Sequence, residues 1–249
     1  MLLVVIGIGL AFMLLERLRP DQQLQRVPGW WTRVILINIV QYGIVVLSGH
    51  TWDVWFTSGR IMDLQAHMSA PLGAFVVYLF VTFVFYWWHR WRHEVYFFWL
   101  ICHQLHHSAS RIETITSFYK HPIELVINSI MIAFITFGLF GLSVEGSGWL
   151  LLYTATGEYF YHMNVRTPPW LGYVFQRPEM HRIHHERGRH YSNFSDLPVW
   201  DMLFGTFRNP PTFDRPCGFK PEREQKFWQI LACRDVNDPM PTRKLEKSA

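Results

Sequence analysis

Hydrophobic and polar positions divide this chain unevenly. Five apolar runs, at residues 1–15, 34–47, 70–88, 123–142 and 149–161, fill its first two thirds; beyond about residue 163 it turns polar, basic and proline-rich. Runs of this kind read as membrane helices, but several fall short of the ~20 residues that a full span needs, so some are re-entrant or rely on their flanks. The first run stops at Glu16-Arg17-Leu18-Arg19-Pro20. It lacks the basic start and small-residue cleavage site of a secretory signal, which predicts a short first span. Trp30 and Trp31 anchor the second run at an interface, the third ends in Tyr86-Trp87-Trp88, and a Gly/Ser turn with Gly146 and Gly148 joins the last two. The expected fold is all-α: an integral membrane helical bundle of about four to five spans or re-entrant helices, with a cytoplasmic histidine-rich cap. One domain covers residues 1–249, with membrane helices over 1–163 and a cytoplasmic segment over 164–249 whose last dozen residues fray.

Charge fixes the expected orientation. If residues 16–33, 89–122 and 164–249 share one side, that side holds 22 of the 23 Lys and Arg, leaving only Arg60 opposite. By the positive-inside rule that side is the cytoplasm. Charged residues make up 17% of the chain, below the ~25% of soluble domains. The net charge of +4 comes with no basic stripe carrying interleaved aromatics, which argues against nucleic acid. Cys102, Cys217 and Cys233 form no CxxC pair and fit a reducing compartment rather than a disulfide scaffold.

The chemistry lies in the histidines. Ten of the 13 fall on the basic side or at helix ends facing it: His89 and His93; His103, His106 and His107; His181, His184 and His185; and the span-end residues His121 and His162. Residues three or four apart share a helix face, so His89 and His93 converge on one metal. In each HxxHH group the first and third histidines stand four apart, and the middle one is turned by about 100° from the third. One such group can feed two adjacent metals, and two groups can clamp a pair. Imidazole suits Zn, Cu, Fe and Ni, so the ligand type alone does not name the metal. Isolated histidines such as His50 and His67 read as polar interface anchors, and His190 lies in the tail beyond the cluster. A zinc protease would need HExxH on a helix; His93-Glu94 has no second histidine, and His190 stands five residues after His185. A metal carrier would string its ligands along a midplane path rather than gather them at one end. A non-redox zinc hydrolase remains open.

The segments YWWHRWRH, FWLICHQLHHSASRIETITSFYKHPIE and YHMNVRTPPWLGYVFQRPEMHRIHHERGRHYSNFSDLPVWDMLFGTF, within about residues 86–207, resemble the fatty acid hydroxylase/sterol desaturase family of membrane di-iron enzymes. The resemblance implies two Fe ions, replaceable by zinc, with O2 as co-substrate and a lipid hydroxylated at an unactivated C–H bond; a desaturase on the same site is the alternative. It places His89, His93, His103, His106, His107, His162, His181, His184 and His185 among the ligands, with His121 in an HPIE segment as a ligand or a donor behind one. Some relatives carry HxxxH where this chain has Glu158 before His162, so Glu158 is a ligand, a hydrogen-bond acceptor behind one, or a polar residue inside the span. Glu158, Asn193 and Asp201 are the candidate catalytic residues, the latter two weighed against a helix cap and turn packing that also involve Trp200. Arg90, Arg92 and Arg182 snorkel to headgroups or offer a docking charge. No GxGxxG fingerprint or iron–sulfur cysteine set is present, so a separate electron donor of ferredoxin or cytochrome type is implied, alongside a bilayer lipid as substrate.

Overall fold

A computed structural model describes residues 1–236; the expected frayed tail lies outside them. Among the described residues every regular element is helical, apart from one isolated bridge between Glu186 and Cys217. The long helices are α1 (Leu2–Leu18), α2 (Trp30–His50), α4 (Ala70–Glu94), α7 (Pro122–Ala133) and α8 (Val144–His162). Short ones fill the connections: α3 (Trp52–Ser58), α5 (Tyr96–Phe98), α6 (Gln104–Ser108), α9 (Pro178–His184), α10 (Pro198–Leu203), α11 (Pro221–Glu224) and α12 (Phe227–Leu231).

Local chemistry sets the helix starts. Pro71 and Pro122 sit in the first turns of α4 and α7, where a missing N–H costs nothing. The Ser143 hydroxyl caps α8 by accepting from the Gly146 amide. Two π-helical turns interrupt the regular spacing, Trp99–His103 ahead of α6 and Phe134–Leu139 after α7. Such turns recur at functional sites, and the first carries His103.

The helices α4 and α8 pack along each other, α1 lies on α8, and α2 packs on α7. Gly9 lets α1 approach closely, since a Cβ there would stand 3.0 Å from the Tyr159 ring. One core cluster joins α4 to α8 through Ala74, Val77, Val81 and Leu150; another joins α2 to the HxxHH region through Trp30, Ile37, Trp99, Leu105 and Ile230. The outer faces stay apolar and exposed, as at Leu3, Leu10, Ile39 and Leu72. A band of this size on a water-soluble surface would drive association; in a bilayer it meets lipid.

Three helical stretches are long and apolar enough to cross a membrane: Trp30–Ser58, Ala70–Glu94 and Pro122–Leu139. The expected first and fifth spans form helices but fall below that standard. At 1.5 Å per residue, α1 with 17 residues reaches only about 25 Å, short of a ~30 Å hydrocarbon core. In α8 the shortfall is compositional, because Ser147, Thr154, Thr156 and Glu158 dilute its apolar residues.

Candidate metal centre

Four chain segments deliver the histidines to one end of the helix bundle. The last turns of α4 carry His89 and His93, the π turn and α6 carry His103, His106 and His107, α8 ends on His162, and α9 with its following residue carries His181, His184 and His185. Their ring nitrogens form two groups. His89, His93, His103, His107 and His184 make one, and His106, His162, His181 and His185 the other; within each, ligand atoms lie within 4.8 Å of one another. Each HxxHH segment sends its first and third histidines to one group and its middle one to the other. The two segments do so reciprocally, which ties the groups together.

Ring orientation is held from behind. His89 Nδ1 contacts the Phe194 carbonyl at 2.7 Å, His184 Nδ1 that of Ser192 at 2.8 Å, His162 Nδ1 that of Glu158 at 2.8 Å, and His106 Nδ1 that of Tyr119 at 3.2 Å. A carbonyl only accepts, so each Nδ1 carries the proton and each Nε2 presents a bare lone pair. His103 Nδ1 stands 3.2 Å from both the Glu124 carboxylate and Arg92 Nη1; because that guanidinium donates to the other Glu124 oxygen, the carboxylate takes the Nδ1 proton and Nε2 stays bare. The bare nitrogens then face each other: His89 Nε2 to His103 Nε2 at 2.9 Å and His162 Nε2 to His106 Nε2 at 3.4 Å. Opposed lone pairs with no proton between them repel. A cation with metal–nitrogen bonds of about 2.1 Å holds neighbouring ligand atoms roughly 3.0–3.4 Å apart and removes the conflict. The donor set therefore fits two metals.

Burial keeps these rings neutral, as ligands must be. Removal from water holds His103, His106, His107, His181 and His185 well below the ordinary imidazole range and lowers His184 to about 3. Both nitrogens of His93 and Nδ1 of His107, His181 and His185 are buried without a hydrogen-bond partner.

Other sequence candidates stand elsewhere. His121 joins neither group: its Nδ1 accepts from the Ile123 amide as the cap of α7, and its Nε2 faces the Leu231 carbonyl at 3.3 Å. Glu158 also stays outside, with Oε1 bonded to Lys120 Nζ at 2.7 Å and Oε2 at 3.9 Å from His162 Nδ1. Asn193 takes a left-handed φ of 58° and ties a turn, donating to the Met180 and Arg208 carbonyls and accepting from the Arg208 amide. Asp201 accepts from the Phe194 and Ser195 amides and from Thr206. Both thus hold the 192–196 loop, whose carbonyls orient His184 and His89; neither reaches a ring nitrogen. Of the three arginines, Arg92 pairs with buried Glu124 and Arg182 with Asp21 at 2.6 Å, both turned inward, whereas Arg90 pairs with the exposed Glu94 at 2.8 Å.

The sequence reading passed over Glu124, three residues beyond His121 in HPIE. It also set aside His190, whose ring lies 4.7 Å from that of His107 and 5.3 Å from Trp99. Spacing could have flagged Glu124 through its position on the first turn of a helix; nothing local marks His190.

A small cavity touches both groups through His89, His106, His162 and His181, and its remaining wall includes Lys120, Glu158, Tyr161 and Asp196. Tyr161 donates to Asp196 at 3.0 Å. Burial and the Glu158 carboxylate hold the Asp196 carboxyl above the usual carboxylate range.

The chain is 35% identical to an ornithine lipid hydroxylase of Rhizobium tropici over 168 residues, 65% of this chain and 46% of the relative. It is 27% identical to a very-long-chain aldehyde decarbonylase of Oryza sativa subsp. indica over 199 residues (74% and 30%) and 29% identical to the alkylglycerol monooxygenase of Homo sapiens over 148 residues (56% and 31%). The matched region thus spans less than half the length of each of these relatives. No solved structure matches the chain. The profile of the fatty acid hydroxylase family covers residues 74–206, just over half of the chain and every histidine of both groups, and the chain belongs to that family.

Proposed function

We propose that this protein is a membrane-bound di-iron oxygenase that hydroxylates a C–H bond of a lipid. The observation that carries the reading is the pair of opposed bare imidazole nitrogens, one pair in each histidine group, that a metal cation in each would reconcile. Family membership and the hydroxylase and monooxygenase relatives support an oxidoreductase acting with O2. Two irons held here would supply O2 activation and attack on the C–H bond. The overall balance is R–H + O2 + two electrons + two protons → R–OH + H2O, so a separate electron donor of ferredoxin or cytochrome type is required. Removal of a second hydrogen instead of oxygen transfer gives an alkene, and product analysis separates hydroxylase from desaturase.

The chain's own contribution is placement and shielding. Nine neutral rings form a dry shell, backbone carbonyls and Glu124 lock their tautomers, and the helices that meet lipid end at the cavity beside both groups. The positive-inside rule supports a multi-pass protein with that end on the cytoplasmic side. Purified protein should carry close to two metals per chain, zinc included when iron is scarce. His106→Ala and His184→Ala each remove one ligand from a different group, so each should abolish hydroxylation and bring metal content toward one. Full metal content and turnover in both variants would overturn the reading.

A further inference from the structure

The polar segment beyond residue 163, which its composition assigns to the cytoplasm, carries an apolar face. Two of its stretches pack together: α10, and a 3-10 turn at Pro169–Tyr173 with the residues after it, where the Tyr173 and Phe207 rings lie 5.7 Å apart. Their outward residues are large and apolar. Trp170 and Leu203 are 66% and 65% exposed, and Tyr173, Phe175, Met202 and Phe204 are exposed as well. Such a patch on a protein surface marks an interaction site. Contacts with α4 give its depth. The Trp200 indole N–H donates to Thr82 Oγ1 at 3.0 Å, and the Phe204 ring lies 5.1 Å from Tyr86 and 4.8 Å from Trp87. Thr82 and Trp87 stand 12 and 17 residues beyond Ala70, where α4 starts, or about 18 and 26 Å along its axis. That helix is long and apolar enough to span, and a ~30 Å hydrocarbon core measured from Ala70 extends past both positions. So α10 lies against the lipid-embedded part of α4 rather than beyond its end.

We propose that residues 169–175 and α10 form a second membrane contact, an in-plane face seated at the boundary of acyl chains and headgroups in the leaflet on the histidine side. Its occupant is the bilayer because the face continues the lipid-facing side of a spanning helix, and because Trp and Tyr are the residues that favour this boundary. The backbone suits lipid too. Pro168, Pro169 and Pro198 open the two turns without N–H groups that would otherwise lack acceptors, and the Gln176 amide reaches inward to the Asp196 carbonyl. Arg166 and Arg208, both exposed, stand just outside the two stretches in sequence and suit anionic headgroups. The seat also reaches the metal centre. Asp201 belongs to α10 and accepts from the Phe194 and Ser195 amides, while the Phe194 carbonyl orients His89. Bilayer contact at α10 therefore braces the loop behind one ligand. This placement rests on the membrane reading of the long helices, not on the identity of the metals or of the substrate.

The test uses the full chain reconstituted in vesicles of phosphatidylcholine and phosphatidylglycerol, with a bimane fluorophore on one introduced cysteine at a time. Phe175→Cys and Leu203→Cys probe the face. Leu72→Cys, exposed on α4, is the lipid control, and the exposed Gly188→Cys is the water control. Each is made with Cys233→Ser, since Cys102 and Cys217 are buried. Metal content and thermal midpoint check that the label leaves the chain folded, and the exposed Val174→Cys replaces either position if it does not. Phosphatidylcholine brominated on its acyl chains should quench positions 175 and 203 at least half as strongly as position 72. Iodide, present on both sides of the bilayer, should quench them several-fold less than position 188. Quenching by iodide without quenching by brominated lipid would put the face in water and overturn the proposal. Protection from both quenchers would mean that protein covers it, a second copy of this chain included, and would overturn it equally. Loss of lipid quenching at position 72 as well would overturn the membrane reading along with it, whereas loss at 175 and 203 alone would leave that reading standing.

Discussion

Glu124 holds two buried partners at once, the Arg92 guanidinium and the Nδ1 of His103 at 3.2 Å, and is itself fully buried. With a metal bound by His103 it would act as the carboxylate behind that ligand, and Arg92 balances its charge. Replacing it with glutamine keeps the shape but leaves Arg92 uncompensated and weakens the hold on one ring. Loss of such a partner typically lowers metal affinity about 10–100-fold, so Glu124→Gln should release metal to a chelator at correspondingly lower concentration than wild type. The same value in both proteins would reduce Glu124 to packing. The ring pKa directions carry a second prediction. In the metal-free folded protein, burial depresses His103, His107, His181 and His185 far below an unfolded value near 6.5, and His184 to about 3. Above about pH 6.5 both folded and unfolded forms are neutral and nothing is lost. As pH falls below that, the unfolded chain takes up protons that the folded chain refuses, so stability drops toward the folded pKa values. The thermal midpoint of metal-free protein should therefore fall steadily from pH 7 to pH 5. A flat profile would mean that the rings are not buried as neutral groups.

Helical spacing made the site legible at the scale of elements. Three- and four-residue intervals assigned His103 with His107, and His181 with His185, to common faces, and the structure sorts the middle histidines to the opposite group in each case. What spacing cannot carry is contact between distant segments. The 192–196 loop orients His89 and His184 through its carbonyls, and its shape depends on Asn193 and Asp201, which the sequence offered as catalytic candidates only through the closing motif of the family resemblance. A second hidden tie is the strand-like segment around Gly218. Its amide donates to the His185 carbonyl at 3.0 Å and the next amide to the Ser108 carbonyl at 3.2 Å, so one short segment stitches the ends of both HxxHH elements. Gly218 has a φ of +68°, and a Cβ there would collide with the Ala109 backbone; Gly188, at +77°, has open space around it. Alanine costs both positions the left-handed penalty of about 1–2 kcal/mol, but only Gly218→Ala displaces the segment. Gly188→Ala should keep two metals and lose a few degrees of thermal midpoint, whereas Gly218→Ala should lose metal as well. Equal metal content in the two would show that the stitch does not matter to the site.

For the whole molecule, hydropathy and charge made the helical membrane character legible; of the four to five spans or re-entrant helices expected, three meet the length and apolarity of a full span, since α1 is short and α8 trades apolar residues for the groups that reach the cavity. That trade has a physical reason. A helix that delivers His162 to the metal groups and Glu158 to the chamber wall cannot also be uniformly apolar. Its packing between α1 and α4 supplies the shelter that its own composition lacks. Orientation then follows from where the basic residues lie. The turn between α3 and α4 holds Arg60 and the exposed Gly59, opposite in charge pattern to the histidine end, where Gly188 is exposed beside Arg187 and Arg189. If the chain crosses after α1 and returns along α4, Gly59 faces outside and Gly188 faces the cytoplasm. Single cysteines at these two positions, introduced after Cys233→Ser removes the half-buried native thiol, report each side separately. The buried Cys102 and Cys217 stay silent to a reagent that cannot cross the bilayer. In intact cells Gly59→Cys should label with a membrane-impermeant maleimide and Gly188→Cys only after lysis. Labelling of neither before lysis would make the stretch from Trp30 to Glu94 a re-entrant hairpin that dips into the membrane from the cytoplasmic side. Labelling of Gly188→Cys in intact cells would put the histidine centre, and the donor that must reach it, on the outer face.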